Sequence, residues 1–187
     1  MAAPLIYVVG ASGSGKDSLM RYGRERLSTN PGIVFAHRYI TRAADAGGEN
    51  HVALSAQEFA ARDKAGLFAL HWKSHGHSYG IGIEVNQWLA KGVTVVVNGS
   101  REHIPEASRR YRELSVVWIE VSTAVLRERL LARGRESEAD IEERLGRHRR
   151  MLQPVGQAIV IANNGPLAEA GENLVTAIQR ERQLTCA

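Results

Sequence analysis

This sequence has almost no cysteine, no long apolar run and no secretion signal, and each absence narrows what it encodes. Its single cysteine, Cys186, excludes an intrachain disulfide framework. No stretch approaches the roughly 20 consecutive apolar residues of a membrane-spanning helix, so no membrane partner is expected. The first apolar run, residues 5–9, leads into a glycine-rich loop and not into a cleavage site, so a cytoplasmic protein is expected. Repeats and low-complexity tracts are missing too. The net charge of +4 is a small excess. Without a recognition motif it does not specify nucleic acid, and it suits a protein that grips polyphosphates equally well. What is present is a 44% hydrophobic chain of 187 residues, the size and composition of one folded domain.

The apolar pattern alternates between two kinds of segment. Residues 5–9, 93–97 and 116–121 are short, continuous and β-branched, as strands buried on both faces of a parallel sheet read. A second strand is expected over residues 33–40 and a last one over 158–162. Helices are expected over 17–27, 56–65, 84–90, 123–133, 140–151 and 166–180. Ser55 followed by Glu58 has the spacing of a capping box at the second of these. Strands alternating with helices predict an α/β fold with a mostly parallel central sheet flanked by helices. Residues 42–83 break the alternation and read as an inserted small subdomain, with 1–41 and 84–187 forming the core of a single domain.

The loop between the first strand and the first helix carries the chemistry. Gly10-Ala11-Ser12-Gly13-Ser14-Gly15-Lys16 satisfies the P-loop spacing G-x-x-x-x-G-K. Its glycines let backbone amides turn inward around phosphate oxygens, and the following helix offers free N–H groups and the positive end of its dipole. ATP is the expected phosphoryl donor, with Lys16 reaching its β- and γ-phosphates. The motif asks next for a Ser or Thr to ligate Mg²⁺; this chain has Asp17, then Ser18. A carboxylate is a competent Mg²⁺ ligand, and an aspartate in a first helical turn is also favoured by the dipole alone. The central strand ends at Asn98, where an acid is usual.

The P-loop, Thr41-Arg42, Gly48-Glu49, Tyr79-Gly80 and Arg133-Gly134 resemble guanylate kinases in order and spacing over nearly the whole chain. The resemblance implies a P-loop NTPase fold with an acceptor-binding insert and an arginine-bearing helical lid at about residues 133–147. The departures matter more. Asp45 stands where that group has a second arginine, His51 near its phosphate-gripping tyrosine, and Leu70 and Ile81 where it reads guanine. A site built to hydrogen-bond a base leaves its own polar groups unpaired with any other ligand; this site lacks those groups. Longer blocks, Ala36-His37-Arg38-Tyr39-Ile40-Thr41-Arg42, Gly48-Glu49-Asn50-His51, Tyr79-Gly80-Ile81-Gly82 and Val97-Asn98-Gly99-Ser100-Arg101, are similar to the ribose 1,5-bisphosphate phosphokinases of bacterial phosphonate catabolism, as is the stretch Gly10 to Ser18.

That resemblance implies phosphoryl transfer from ATP to a sugar bisphosphate, giving 5-phosphoribosyl 1-diphosphate. A phosphate acceptor is already a nucleophile, and no general-base constellation is found. The burden falls on positioning and charge neutralisation. Candidates on the acceptor side are His37, Arg38, Arg42, His51, Tyr79, Asn98 and Arg101. Lys16, Arg42, Arg133 and Arg144 are expected to carry the transferred charge, and Arg129 to close with them. By resemblance Arg133 stacks near the donor base. Asn163-Asn164, after the last strand, is expected to contact adenine, with Asn164 counted among the donor-binding residues. Residues 10–18 hold the donor, with Asp17 and Ser18 at the metal. A nucleoside monophosphate kinase and a non-catalytic guanylate-kinase-like interaction module are the alternatives; the intact glycine loop and lysine favour catalysis. Monomer and homodimer are equally compatible with the sequence.

Overall fold

The computed structural model describes residues 3–44, 49, 51–134, 137–151, 154 and 156–186. In chain order these form β1 (Leu5–Gly10), α1 (Lys16–Arg26), β2 (Ile33–Phe35), β3 (Arg38–Ile40), β4 (Val52–Ala53), α2 (Ala56–Lys64), β5 (Phe68–Ser74) and β6 (His77–Gly82). There follow α3 (Glu84–Ala90), β7 (Thr94–Asn98), a 3-10 turn (Arg101–His103), α4 (Ile104–Arg110), β8 (Leu114–Glu120), α5 (Thr123–Arg133), α6 (Glu138–Arg150), β9 (Ile159–Ala162) and α7 (Leu167–Cys186).

Five parallel strands form the central sheet in the order β2-β7-β1-β8-β9. Its middle strand is apolar without interruption because both of its faces are covered. Ile6 and Val8 join the cluster that packs Leu19 of α1 and Leu174 and Ile178 of α7, while Leu5, Tyr7 and Val9 join the opposite cluster with Val85 of α3 and Ala107 of α4. Tyr7 sits at the crossing point of sheet and site. It is fully buried, its Oη accepts the Ser100 N–H at 3.0 Å, and its ring occupies the space a side chain at Gly99 would need. Burial pushes its phenol up to about 12. The turn that leaves β7 is thereby fixed from beneath.

The strand expected over residues 33–40 is two strands. Ile33–Phe35 pairs with β7 in the central sheet, and Arg38–Ile40 pairs with β4 and β6 in a second sheet of order β4-β3-β6-β5. The chain changes sheets at residues 36–37. The second sheet thus draws in residues 38–40, ahead of residue 42. Its β5–β6 hairpin turns at His75 and Gly76, both at positive φ (48° and 74°). Tyr39, Phe59 and Phe68 form a small aromatic core with Leu54 under α2. Ser55 caps α2 by accepting the Glu58 N–H at 3.0 Å, but the Glu58 carboxylate turns to Arg62 at 2.6 Å instead of completing the box.

α5 and α6 form a hairpin whose apolar residues Leu126, Leu130, Ile141 and Leu145 pack on Ala11 and Val121. A reciprocal capping box between Ser137 and Asp140 starts α6. Short α4 and β4 carry no sequence signal strong enough to have been expected. Residues 45–48 and Arg135 lie outside the described residues, as does the side chain of Arg133. Among the described residues no helix is long and apolar enough to cross a membrane.

Candidate active site

β1 delivers the chain into the phosphate loop and α1 takes it out. Gly13 and Gly15 hold φ of 93° and 83°, a conformation that favours glycine. Gly15 is the N-cap of the 11-residue α1 and no side chain caps it, so the first amides of α1 have no protein acceptor from a cap. The Ser14 carbonyl is drawn away by two donors, Asn163 Nδ2 at 2.7 Å and Arg129 Nη1 at 3.2 Å. Ser14 itself is fully buried, and its Oγ has no hydrogen-bond partner among the described residues. Ser12 Oγ accepts from Arg144 Nη1 at 2.9 Å, joining α6 to the loop. A glycine cradle, an uncapped helix start, an orphaned buried hydroxyl and an arginine of α6 fit the phosphate chain of a nucleotide.

Beside the loop, five side chains from four segments form one polar chain. Lys16 Nζ donates to Asn98 Oδ1. Asn98 Nδ2 donates to Asp17 Oδ1 at 3.0 Å and to Glu49 Oε2 at 2.8 Å. Arg38 Nε reaches both Glu49 oxygens, at 2.7 and 3.0 Å, and its Cζ lies 5.0 Å from the centre of the Tyr79 ring. The Arg38–Glu49 pair is nearly closed off, with side chains 11% and 12% exposed. Burial pulls the Lys16 ammonium below its ordinary range, with Asp17, 3.6 Å away, opposing that. Burial alone would raise Asp17, but Lys16, Arg38 and the Asn98 amide outweigh it and hold the carboxyl low, so it is ionised at neutral pH.

A model of AAA domain proteins matches residues 6–148. The chain is 61% identical over 171 residues to the ribose 1,5-bisphosphate phosphokinase PhnN of Thiobacillus denitrificans, covering 91% of this chain and 90% of the relative. It is 55% identical to the protein of the same name from Desulfomicrobium baculatum, covering 93% of each. The chain belongs to the ribose 1,5-bisphosphate phosphokinase family. Among solved structures, guanylate kinase from Anaplasma phagocytophilum superposes with a TM-score of 0.69 at 18% identity, over 97% of this chain and 87% of that one. A gluconokinase from Sinorhizobium meliloti superposes with a TM-score of 0.53 at 20% identity, over 98% of this chain and 96% of that one. The α/β P-loop NTPase fold expected from the strand and helix pattern is the fold observed. Family membership makes this chain a phosphotransferase, and a P-loop kinase family implies ATP as the phosphoryl donor.

Within that family frame the expected site residues divide. Lys16, Asp17, Asn98 and Arg38 come together in the polar chain just described, and the Tyr79 ring borders it under Arg38. Ser18 is partly exposed on α1 next to Asp17. Arg42 lies just beyond β3, and its buried Nε has no hydrogen-bond partner among the described residues. His51 is buried, and its ring nitrogens meet the Glu49 carbonyl at 3.2 Å and the Arg42 carbonyl at 3.1 Å. It ties the backbone at Arg42 to that at Glu49 and does not stand open to a ligand. His37 is exposed. Arg101 is engaged within the protein: it donates to the Met151 carbonyl at 3.0 Å and lies 5.7 Å from the Trp118 ring centre. Asn164 accepts the Ser122 N–H at 2.8 Å, so its carboxamide oxygen is used within the protein.

Three partners were not expected in these roles. Glu49 was visible only as part of a sequence block. Asn163, not its neighbour, reaches the phosphate loop, because consecutive residues leaving a strand point to opposite sides. Trp72 stacks on Tyr79. Asn163→Ala leaves the Ser14 carbonyl with Arg129 alone and is expected to cost about 1–3 kcal/mol. A thermal melt should show a Tm lower by several degrees, and the KM for ATP should rise more than kcat falls.

A divalent ion accompanies ATP in kinases of this kind, and the residues present fit one. Mg²⁺ takes one or two protein carboxylates and fills its octahedron with phosphate oxygens and water. Asp17 offers an ionised carboxylate on the first turn of α1, 39% exposed. Among the described residues no group of three His, Cys, Asp or Glu side chains forms a cage of its own.

Proposed function

We propose that this chain transfers the terminal phosphoryl group of ATP to the 1-phosphate of ribose 1,5-bisphosphate, giving ADP and 5-phosphoribosyl 1-diphosphate. The bond between the γ-phosphorus and the bridging oxygen of ADP breaks, and a bond from that phosphorus to an acceptor phosphate oxygen forms. No proton has to leave the nucleophile. One observation supports this reading above the others. The second sheet turns Arg38 toward the phosphate loop, where Glu49 and Asn98 link it to Lys16 and Asp17, while positions 70 and 81 carry Leu and Ile, 2% and 0% exposed in the apolar core. That face offers charge for phosphates and no hydrogen bonds for a base.

In this reading the amides of residues 10–18 hold the donor phosphates and Lys16 neutralises the β–γ bridge. Arg144 closes from the lid, and closure shields the phosphoryl group from water. Arg133, at the end of α5, serves the donor base. Arg38, Arg42 and Tyr79 hold the acceptor phosphates. Asp17, with Ser18 beside it, ligates Mg²⁺, which supplies charge neutralisation across the donor phosphates.

Release of ADP, coupled to a pyruvate kinase and lactate dehydrogenase readout, tests this directly. Ribose 1,5-bisphosphate should support turnover, and ribose 5-phosphate, GMP and AMP should not. Turnover with a nucleotide alone would sink the reading.

A further inference from the structure

The face of the second sheet that carries Arg38 and Tyr79 is sealed by an aromatic column. Side chains on one face repeat every second residue, so Leu70 and Trp72 of β5 share a face with their directly paired partners Ile81 and Tyr79 of β6. The indole of Trp72 lies parallel to the Tyr79 ring, at 5° and 5.7 Å between centres. Its other neighbour is His103, from the 3-10 turn of the core, at 5.5 Å and 31°. Because β6 lies between β3 and β5, Arg38 and Trp72 approach Tyr79 from its two sides. The order through space is Arg38, Tyr79, Trp72, His103.

A planar base held between two rings needs about 7 Å between them, two carbon contacts of about 3.5 Å each. The Trp72–Tyr79 pair at 5.7 Å leaves no such slot. The faces of Tyr79 are taken by an indole and a guanidinium, so stacking on it from either side is blocked as well. Beyond the rings lie Leu70 and Ile81, with no polar atoms for a base edge.

We propose that Trp72 is a specificity-determining residue that excludes nucleotides from the acceptor site by occupying, with its own ring, the aromatic surface on which a base would stack. This rests on the sugar-bisphosphate reading above and explains how the acceptor can carry ribose and phosphates and nothing planar. The role is steric, so Trp72 need not touch the transferred group.

The test compares wild type with Trp72→Ala and Trp72→Phe. GMP, AMP and UMP are titrated by calorimetry, and each is tested as a competitive inhibitor of ribose 1,5-bisphosphate turnover. Uncovering Tyr79 in Trp72→Ala should tighten nucleoside monophosphate binding by about tenfold or more, the scale of one base–aromatic stack, while sugar-bisphosphate turnover persists. Trp72→Phe keeps a ring on Tyr79 and should exclude nucleotides as wild type does. A folded Trp72→Ala that turns over the sugar bisphosphate and binds nucleotides no better than wild type overturns the proposal, as does a Trp72→Phe that binds them. If Trp72→Ala does not fold, Trp72→Leu, which keeps apolar contact with the core and also bares the ring, is read by the same criterion. Failure of the underlying reading looks different: wild type itself would then not turn over ribose 1,5-bisphosphate.

Discussion

Replacing Lys16 with alanine should lower kcat about 10³-fold or more, the scale seen when one preorganised charge or donor on a transferring group is removed. The same substitution should leave the melting temperature essentially unchanged. Both expectations come from what Lys16 touches. Among the described residues its ammonium meets Asn98 Oδ1 and Asp17 and nothing that shapes the loop. The loop is shaped by Gly13 and Gly15, by the Leu19 N–H to Gly15 carbonyl bond at 3.0 Å, and by Asn163 and Arg129 on the Ser14 carbonyl. Burial already disfavours the charged form of Lys16, so its removal relieves a desolvation cost while breaking its bond to Asn98. Asn98 keeps both carboxylates as acceptors. The measurement is coupled ADP release beside a thermal melt of the same preparation. Full activity in a folded Lys16→Ala protein would contradict the role given to the phosphate loop.

The parts of this molecule that were legible in its sequence are those determined over a short stretch of chain. Residues 5–9 read as a buried strand because both faces are covered, and the glycine loop reads as a phosphate cradle because its spacing is the mechanism. The break between Phe35 and Arg38 was not legible. Both halves are β-forming, and what separates them is which sheet each joins, a matter settled by pairing with β7 and β6, both far away in sequence. The partners of Arg38 and Asn98 were hidden for the same reason. Glu49 lies 11 residues from one and 49 from the other, and no local pattern announces such a triad. Arg101 shows the converse. Its place after the central strand advertised a ligand-facing cation, but Trp118 and the Met151 carbonyl claim it.

The Arg38–Glu49–Asn98 connection also gives the missing strand acid a physical counterpart. Where a carboxylate usually ends the central strand, this chain has an amide that can donate as well as accept. The amide holds two carboxylates from elsewhere, Asp17 and Glu49, and accepts from Lys16. Charge absent from the strand is supplied by its neighbours, and one of them is tied to Arg38. The phosphate loop and the second sheet are in this way joined by one continuous network.

Asp17→Asn tests that arrangement at the metal. The substitution keeps shape and removes one negative charge from the first turn of α1. The Mg²⁺ concentration for half-maximal turnover should rise at least about tenfold, as loss of a group serving a metal site commonly does. Binding of a fluorescent ATP analogue, followed without turnover, should lose its Mg²⁺ enhancement to the same degree. A second effect has a definite sign. In the native protein burial lowers the pKa of Lys16 and Asp17 opposes it. Without the carboxylate the opposition is gone, the ammonium loses its proton at lower pH, and the alkaline limb of the kcat/KM profile should move toward neutrality. An aspartate present only for the helix dipole would give neither a Mg²⁺ shift nor loss of metal-enhanced nucleotide binding. An unchanged Mg²⁺ dependence in both measurements would therefore remove Asp17 from the metal site and leave it as a helix-start charge.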